Sequence, residues 1–187
     1  MNELAWGTNN DLNDNQFYNR VEDIEFISNL LKSSRYGTSP SILLTGLRGV
    51  GKSALMKKIQ KNFRDENYLI VYIDLSASNA YQTDEFSRES IIELIYDQII
   101  NECRESGITT VDKKIEKYIK THDVALKEIV NIKGYPVPFL WTKRNYKKLA
   151  NFVMELPQYL YDENINGIFL FFDEFQIIKE LGDDLTD

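Results

Sequence analysis

Ser41-Ile-Leu-Leu-Thr-Gly-Leu-Arg-Gly-Val-Gly-Lys-Ser53 decides how this chain is read. Its first five residues are a short apolar run bounded by Pro40 and Gly46, the pattern of a buried strand. Gly46-Leu-Arg-Gly-Val-Gly-Lys-Ser53 then fills every fixed position of G-x-x-x-x-G-K-[ST]. Leu55, Met56, Ile59 and Phe63 follow at helical spacing. Gly46, Gly49 and Gly51 permit backbone angles that turn successive N–H groups inward, making an anion nest. A helix starting near Lys52 adds the positive end of its dipole. Lys52 is a point charge able to reach the outer phosphates of a nucleotide, and the Ser53 hydroxyl can coordinate Mg2+. Leu47, Arg48, Val50 and Ala54 complete the loop; Arg48 stands at a variable position, facing phosphate or solvent. The competing reading is a bare glycine turn between a strand and a helix. Four matched positions with the correct flanks favour a phosphate site. The Lys favours a triphosphate over a dinucleotide, whose fingerprint has no such residue.

Outward from the loop, Tyr68-Leu-Ile-Val-Tyr-Ile-Asp74 reads as a second buried strand and Ile168-Phe-Leu-Phe-Phe172 as a third. Asp173 and Glu174 follow the third strand directly. Sheets of this kind place ligands at the C-terminal ends of their strands. Hydrolysis needs a carboxylate for the metal's water shell and a group that activates the attacking water. Asp173 suits the first task and Glu174 the second. Against this stands the possibility that the pair only caps a helix from Phe175 onward.

The remaining chain supplies helices. Residues 1–16 read as a flexible N-terminal arm with Trp6 as anchor. Val21, Ile24, Ile27, Leu30 and Leu31 share a helical face, with Glu22, Asp23 and Glu25 near its N-terminus. Residues 33–40 are a loop by composition. Helices are expected over 84–105, with Ile91, Ile95, Ile99 and Cys103 in line, over 111–131, and from Thr142 to a kink or stop at Pro157. Strands alternating with helices predict an α/β, P-loop type three-layer sandwich: a parallel sheet of strands at 41–45, 68–74 and 168–172, helices on both faces. The domain would span 17–187, with a helical stretch at 84–160.

Composition narrows the function. The chain has 187 residues, 29 acidic and 22 basic, a net charge of −7, 43% hydrophobic residues, one Cys and one His. That length supports one domain with its own core. One Cys excludes a disulfide framework, and one His leaves little for a zinc site or a Ser-His-Asp triad. No apolar run reaches the length of a membrane span, and the first residues lack the pattern of a secretory signal. The expectation is a soluble, cytoplasmic protein. The acidity opposes nonspecific nucleic-acid binding. The local exception is the basic, aromatic cluster Trp141, Lys143, Arg144, Tyr146, Lys147 and Lys148, which also fits a solvated helix face. His122 on its apolar stripe reads as a boundary residue, Cys103 as a core thiol, and Asp74 as a turn initiator.

Three stretches resemble the AAA+ ATPases, in the branch of archaeal and bacterial AAA ATPases, replication-initiator-like ATPases and STAND proteins. Phe17-Tyr-Asn-Arg20, leading to Glu22 and Ile24, resembles that family's F-x-G-R-x-x-E, with Asn19 where Gly is usual. Residues 43–53 follow its LLxGxRGVGKT, and Phe171-Phe-Asp-Glu-Phe-Gln176 its hhhDEhQ. The resemblance implies Mg2+-dependent ATP or ADP binding and ATP hydrolysis. Arg20 would line the adenine side, residues 46–54 the phosphates, and Asp173 with Glu174 the metal and water. The absence of a guanine-reading N/T-K-x-D motif agrees with adenine. In such ATPases a sensor strand lies between the Asp-Glu strand and the loop strand, and an arginine finger and helical lid come later. This chain ends at Asp187 and reads as the front half, with two strand edges left unpaired. Its alternatives are a nucleotide-gated switch or scaffold with little turnover, and a loader or remodeller acting on nucleic acid. A protein partner or self-association fits each.

Overall fold

Acidic side chains favour the first turn of a helix, where backbone N–H groups point out unpaired. Glu22 and Asp23 occupy that turn in α1, Val21–Lys32, whose Lys32 lies in the last turn. This is seen in a computed structural model that describes residues 20–37, 40–83, 86–108, 113, 129–132, 135–138, 146–161 and 165–179. The expected arm at 1–16 lies outside the described residues, as do His122 and Thr142. The chain divides into two compact units, Met1–Ile59 and Gln60–Asp187.

In the first unit, Ile27 and Leu31 of α1 are buried, and a tight turn over Ser33–Tyr36 ends the helix. Residues 40–46 then run without strand structure, which corrects the strand expected at 41–45. Leu43 is 80% exposed. An apolar run takes strand geometry when a neighbour's ladder satisfies its backbone groups. Among the described residues nothing pairs with this segment. α2, Lys52–Arg64, starts in this unit and ends in the second, and it buries the expected stripe of Leu55, Met56, Ile59 and Phe63.

In the second unit, β1, Tyr68–Asp74, lies parallel to β4, Gly167–Asp173, in unbroken register from Tyr68 beside Gly167 to Asp74 beside Asp173. Between them come a short helix α3, Asn79–Gln82, then α4, Arg88–Glu105, a hairpin of β2, Ile129–Ile132, and β3, Tyr135–Pro138, and α5, Tyr146–Leu160. The parallel sheet therefore has two strands among the described residues, not three, and keeps the α/β character. Alternation along β1 sends Leu69, Val71 and Ile73 to one face, where they meet Ile95, Ile99 and Cys103 of α4 and Phe152 and Leu156 of α5. Cys103 is fully buried there. The opposite face carries Tyr68, Ile70 and Tyr72, and the Phe63 ring meets Tyr68 edge-on at 4.8 Å.

Two element boundaries differ from expectation. α4 starts behind a capping box, in which Ser87 and Ser90 each accept the other's backbone N–H, so it begins at Arg88 and not near 84. Of the helix expected over 111–131, residues 114–128 lie outside the described residues and Ile129–Ile132 form β2, whose β-branched residues pair with a Pro-containing strand. Pro136 and Pro138 are two apart, so their missing N–H groups share one phase of the ladder and can both face away from β2. α5 also passes through Pro157 to Leu160. Proline removes one helical donor. Leu156 and Leu160, fully buried on either side, hold the last turn in place.

At the back of α2 a buried carboxylate joins three elements. Glu102 of α4 accepts from Arg64 Nη2 at 2.7 Å and Nε at 3.2 Å, from Gln60 Nε2 at 3.0 Å, and from Ser106 Oγ at 3.3 Å. Gln60 also donates to the Ile70 carbonyl of β1 at 2.8 Å.

Candidate functional site

The loop of the first unit has the shape its glycines allow. Gly49 and Gly51 adopt φ of +83° and +86°, where an L side chain is strained. A Cβ at either position would meet nothing within 4 Å, so the demand is conformational and not steric. α2 then begins at Lys52, its first bond running from Leu55 N–H to the Gly51 carbonyl at 2.9 Å.

Lys52 reaches back over the loop. Its ammonium donates to the carbonyls of Gly46 at 2.9 Å and Leu47 at 3.0 Å. The charge thus sits over the loop by bonds to neutral acceptors, which an anion can replace with stronger charge-assisted ones. Gly46, Leu47, Arg48, Gly49, Val50 and Gly51 are all exposed, and Lys52, Ser53 and Ala54 half-buried. Arg20 also turns to this loop. Its Nη2 donates to the Val50 carbonyl at 2.6 Å, while Nη1 pairs with Asp23 at 2.7 Å. The guanidinium expected beside a base is held on the loop backbone, tying the start of α1 to it.

In the second unit, Asp173 ends β4 and is 7% exposed. Its Oδ2 accepts from the Tyr72 phenol of β1 at 2.5 Å, and its Oδ1 from the Glu174 backbone N–H at 3.0 Å. A helix cap would instead bond N–H groups two or three residues ahead. The side chain of Asp173 turns to the neighbouring strand, so capping does not explain it. Glu174 has φ of +53°, a left-handed conformation uncommon for a residue with a long side chain. Its carboxylate, half-exposed, accepts from the Gln176 side-chain amide. A 3-10 turn over 175–179 follows, closed by Ile177 N–H on the Glu174 carbonyl at 3.0 Å, with Ile177 buried as its anchor.

Asp74 sits beside Asp173 in register but turns to its own chain, accepting from Ser76 N–H at 3.0 Å and Ser76 Oγ at 2.7 Å. It initiates the turn Leu75–Ala77, as the sequence suggests. The basic cluster at 141–148 lies outside the residues whose side chains are described. Sequence reasoning gave no role to Tyr72 or Gln176. The available signal for Tyr72 is a hydroxyl within an apolar strand, on the face it shares by alternation with Asp74.

The first unit thus holds a glycine loop opening a helix at Lys-Ser, and the second a parallel strand ending in a buried Asp followed by Glu. A family model described as an ATPase domain predominantly from Archaea matches residues 17–185, and the chain belongs to that family. No curated protein and no solved structure matches it significantly. Membership makes ATP the ligand class and ATPase activity the functional class. No helix among the described residues is long and apolar enough to cross a membrane.

Proposed function

We propose that the chain binds Mg2+–ATP, with residues 46–54 on the phosphates and Asp173 and Glu174 serving hydrolysis, as in AAA+ type ATPases. The observation that carries this reading is Lys52, its ammonium held over a glycine loop by two exchangeable carbonyl bonds. Binding would exchange those carbonyls for phosphate oxygens, while the loop N–H groups and the start of α2 take the remaining charge.

The residues present fit a magnesium ion. Mg2+ keeps several waters and binds through one or two protein oxygens plus substrate phosphates. Ser53 would offer its hydroxyl. Each oxygen of Asp173 accepts one protein hydrogen bond, leaving a further acceptor site on each for metal-bound water. When bound, the ion would neutralise charge developing on the transferred phosphoryl group. The chain's own part is positioning: the loop orients the phosphates, and Glu174 accepts the proton of the attacking water once its carboxylate leaves Gln176.

A second reading, a nucleotide-gated switch with little turnover, is favoured by one observation. The Glu174 carboxylate, the group that would activate water, is engaged by the Gln176 side-chain amide in this structure. Steady-state phosphate release separates the two. An ATPase releases phosphate continuously and loses it in Glu174→Gln with nucleotide binding kept; a switch binds nucleotide and releases no more than one equivalent.

A further inference from the structure

In register, Tyr72 of β1 stands beside Phe171 of β4, and Asp173 lies two residues further along. Two residues of strand advance about 6.6 Å, and alternation returns the side chain to the same face. A phenol is long enough to cover that advance and ends in a donor, and here it meets Asp173 Oδ2 at 2.5 Å. Phe, of the same shape, would not. The second oxygen is taken by the Glu174 N–H at 3.0 Å, so the carboxylate plane is fixed from both sides. Asp173 itself is buried, 7% exposed.

We propose that Tyr72 is a positioning residue: its phenol orients the Asp173 carboxylate so that its free acceptor sites face the metal's water shell. This rests on the reading of Asp173 given above. Phenylalanine at 72 leaves the ring packing and the strand intact but lets the carboxylate rotate about its remaining bond. The penalty falls on the contribution of Mg2+ to nucleotide affinity, not on the contacts made by the loop.

The test is ADP binding to the full chain by calorimetry, in EDTA and in Mg2+, for wild type, Tyr72→Phe, Asp173→Asn and the double variant. In wild type Mg2+ tightens binding. In Tyr72→Phe that tightening falls at least about tenfold, as expected for losing one hydrogen bond to a charged group. Affinity in EDTA is unchanged, and in the Asp173→Asn background the Phe substitution has no further effect on the Mg2+ response. Full Mg2+ tightening in Tyr72→Phe overturns the proposal, as does an equal effect with and without Asp173. A Tyr72→Phe chain without a cooperative melt overturns it too, since the phenol then serves the fold. Absence of nucleotide binding by a well-folded wild type removes the reading of the site beneath it, a distinct outcome.

Discussion

Removing the Glu102 carboxylate should destabilise the second unit by about 2 kcal/mol, a value that follows from how unevenly its partners are buried. The Glu102 side chain is 9% exposed and the Arg64 side chain 42%. Breaking a fully buried ion pair costs about 3–5 kcal/mol, because the surviving charge is left unsolvated. In Glu102→Ala the survivor is Arg64, which can rehydrate and keeps Glu105 at 3.1 Å, so the cost sits nearer that of hydrogen bonds to a charged group, about 1.5–3 kcal/mol. Gln60 keeps the Ile70 carbonyl. Bonding to Glu102 also holds the Arg64 pKa above its ordinary value, in the direction expected of a net favourable pair. Arg64→Ala leaves the more buried partner unpaired and should cost at least as much. Urea unfolding followed by circular dichroism measures both, and the double variant should lose about 1 kcal/mol less than the sum. A loss under about 0.5 kcal/mol for Glu102→Ala, or strict additivity, would refute this reasoning.

Glu93 lies between Glu89 and Asp97 on α4, and its carboxyl is raised from an ordinary 4.5 by partial desolvation, then by Asp97 and Glu89. The folded chain therefore holds this proton more tightly than the unfolded one, and that stabilisation is lost as pH rises through the raised value. Glu93→Gln should be neutral at about pH 4 and stabilising by about 0.5 kcal/mol at neutral pH and low salt, the scale of helical like-charge pairs. Urea midpoints at the two pH values check it; a gain at low pH contradicts it. Glu174→Asn should raise stability by about 0.5 kcal/mol, because Asn tolerates the left-handed φ of +53° better than Glu, while abolishing phosphate release. A destabilised Glu174→Asn, seen in a thermal melt, argues that the bond to Gln176 outweighs the backbone strain.

What the sequence made legible is local. β1 and β4 are continuous apolar runs flanked by polar residues, so composition and length suffice to find them. α2 announces itself through a glycine loop and a 3.6-residue stripe. Ser41–Thr45 has the same apolar character and forms no strand, because a strand is completed by a ladder partner and no local pattern reports one. Ile129–Ile132 continues the helical stripe before it, yet its state is set by pairing with Tyr135–Pro138 across a short connection. The site divides the same way. Lys52, Asp173 and Glu174 are visible as residue types at fixed spacing. Tyr72 finds Asp173 across 101 positions, and Arg20 finds the Val50 carbonyl across 30. Such contacts exist only once the chain has folded.

The central claim is that residues 46–53 cradle the phosphates of ATP. It is tested most directly by calorimetric titration of ATP with Mg2+ into this chain and into Lys52→Ala, each checked for a cooperative melt. Saturable binding by the wild type, weakened at least about 100-fold in Lys52→Ala, is the expected result, since the variant loses a charge-assisted contact to phosphate. Equal binding by the two chains, or none by a wild type that melts cooperatively, would contradict it.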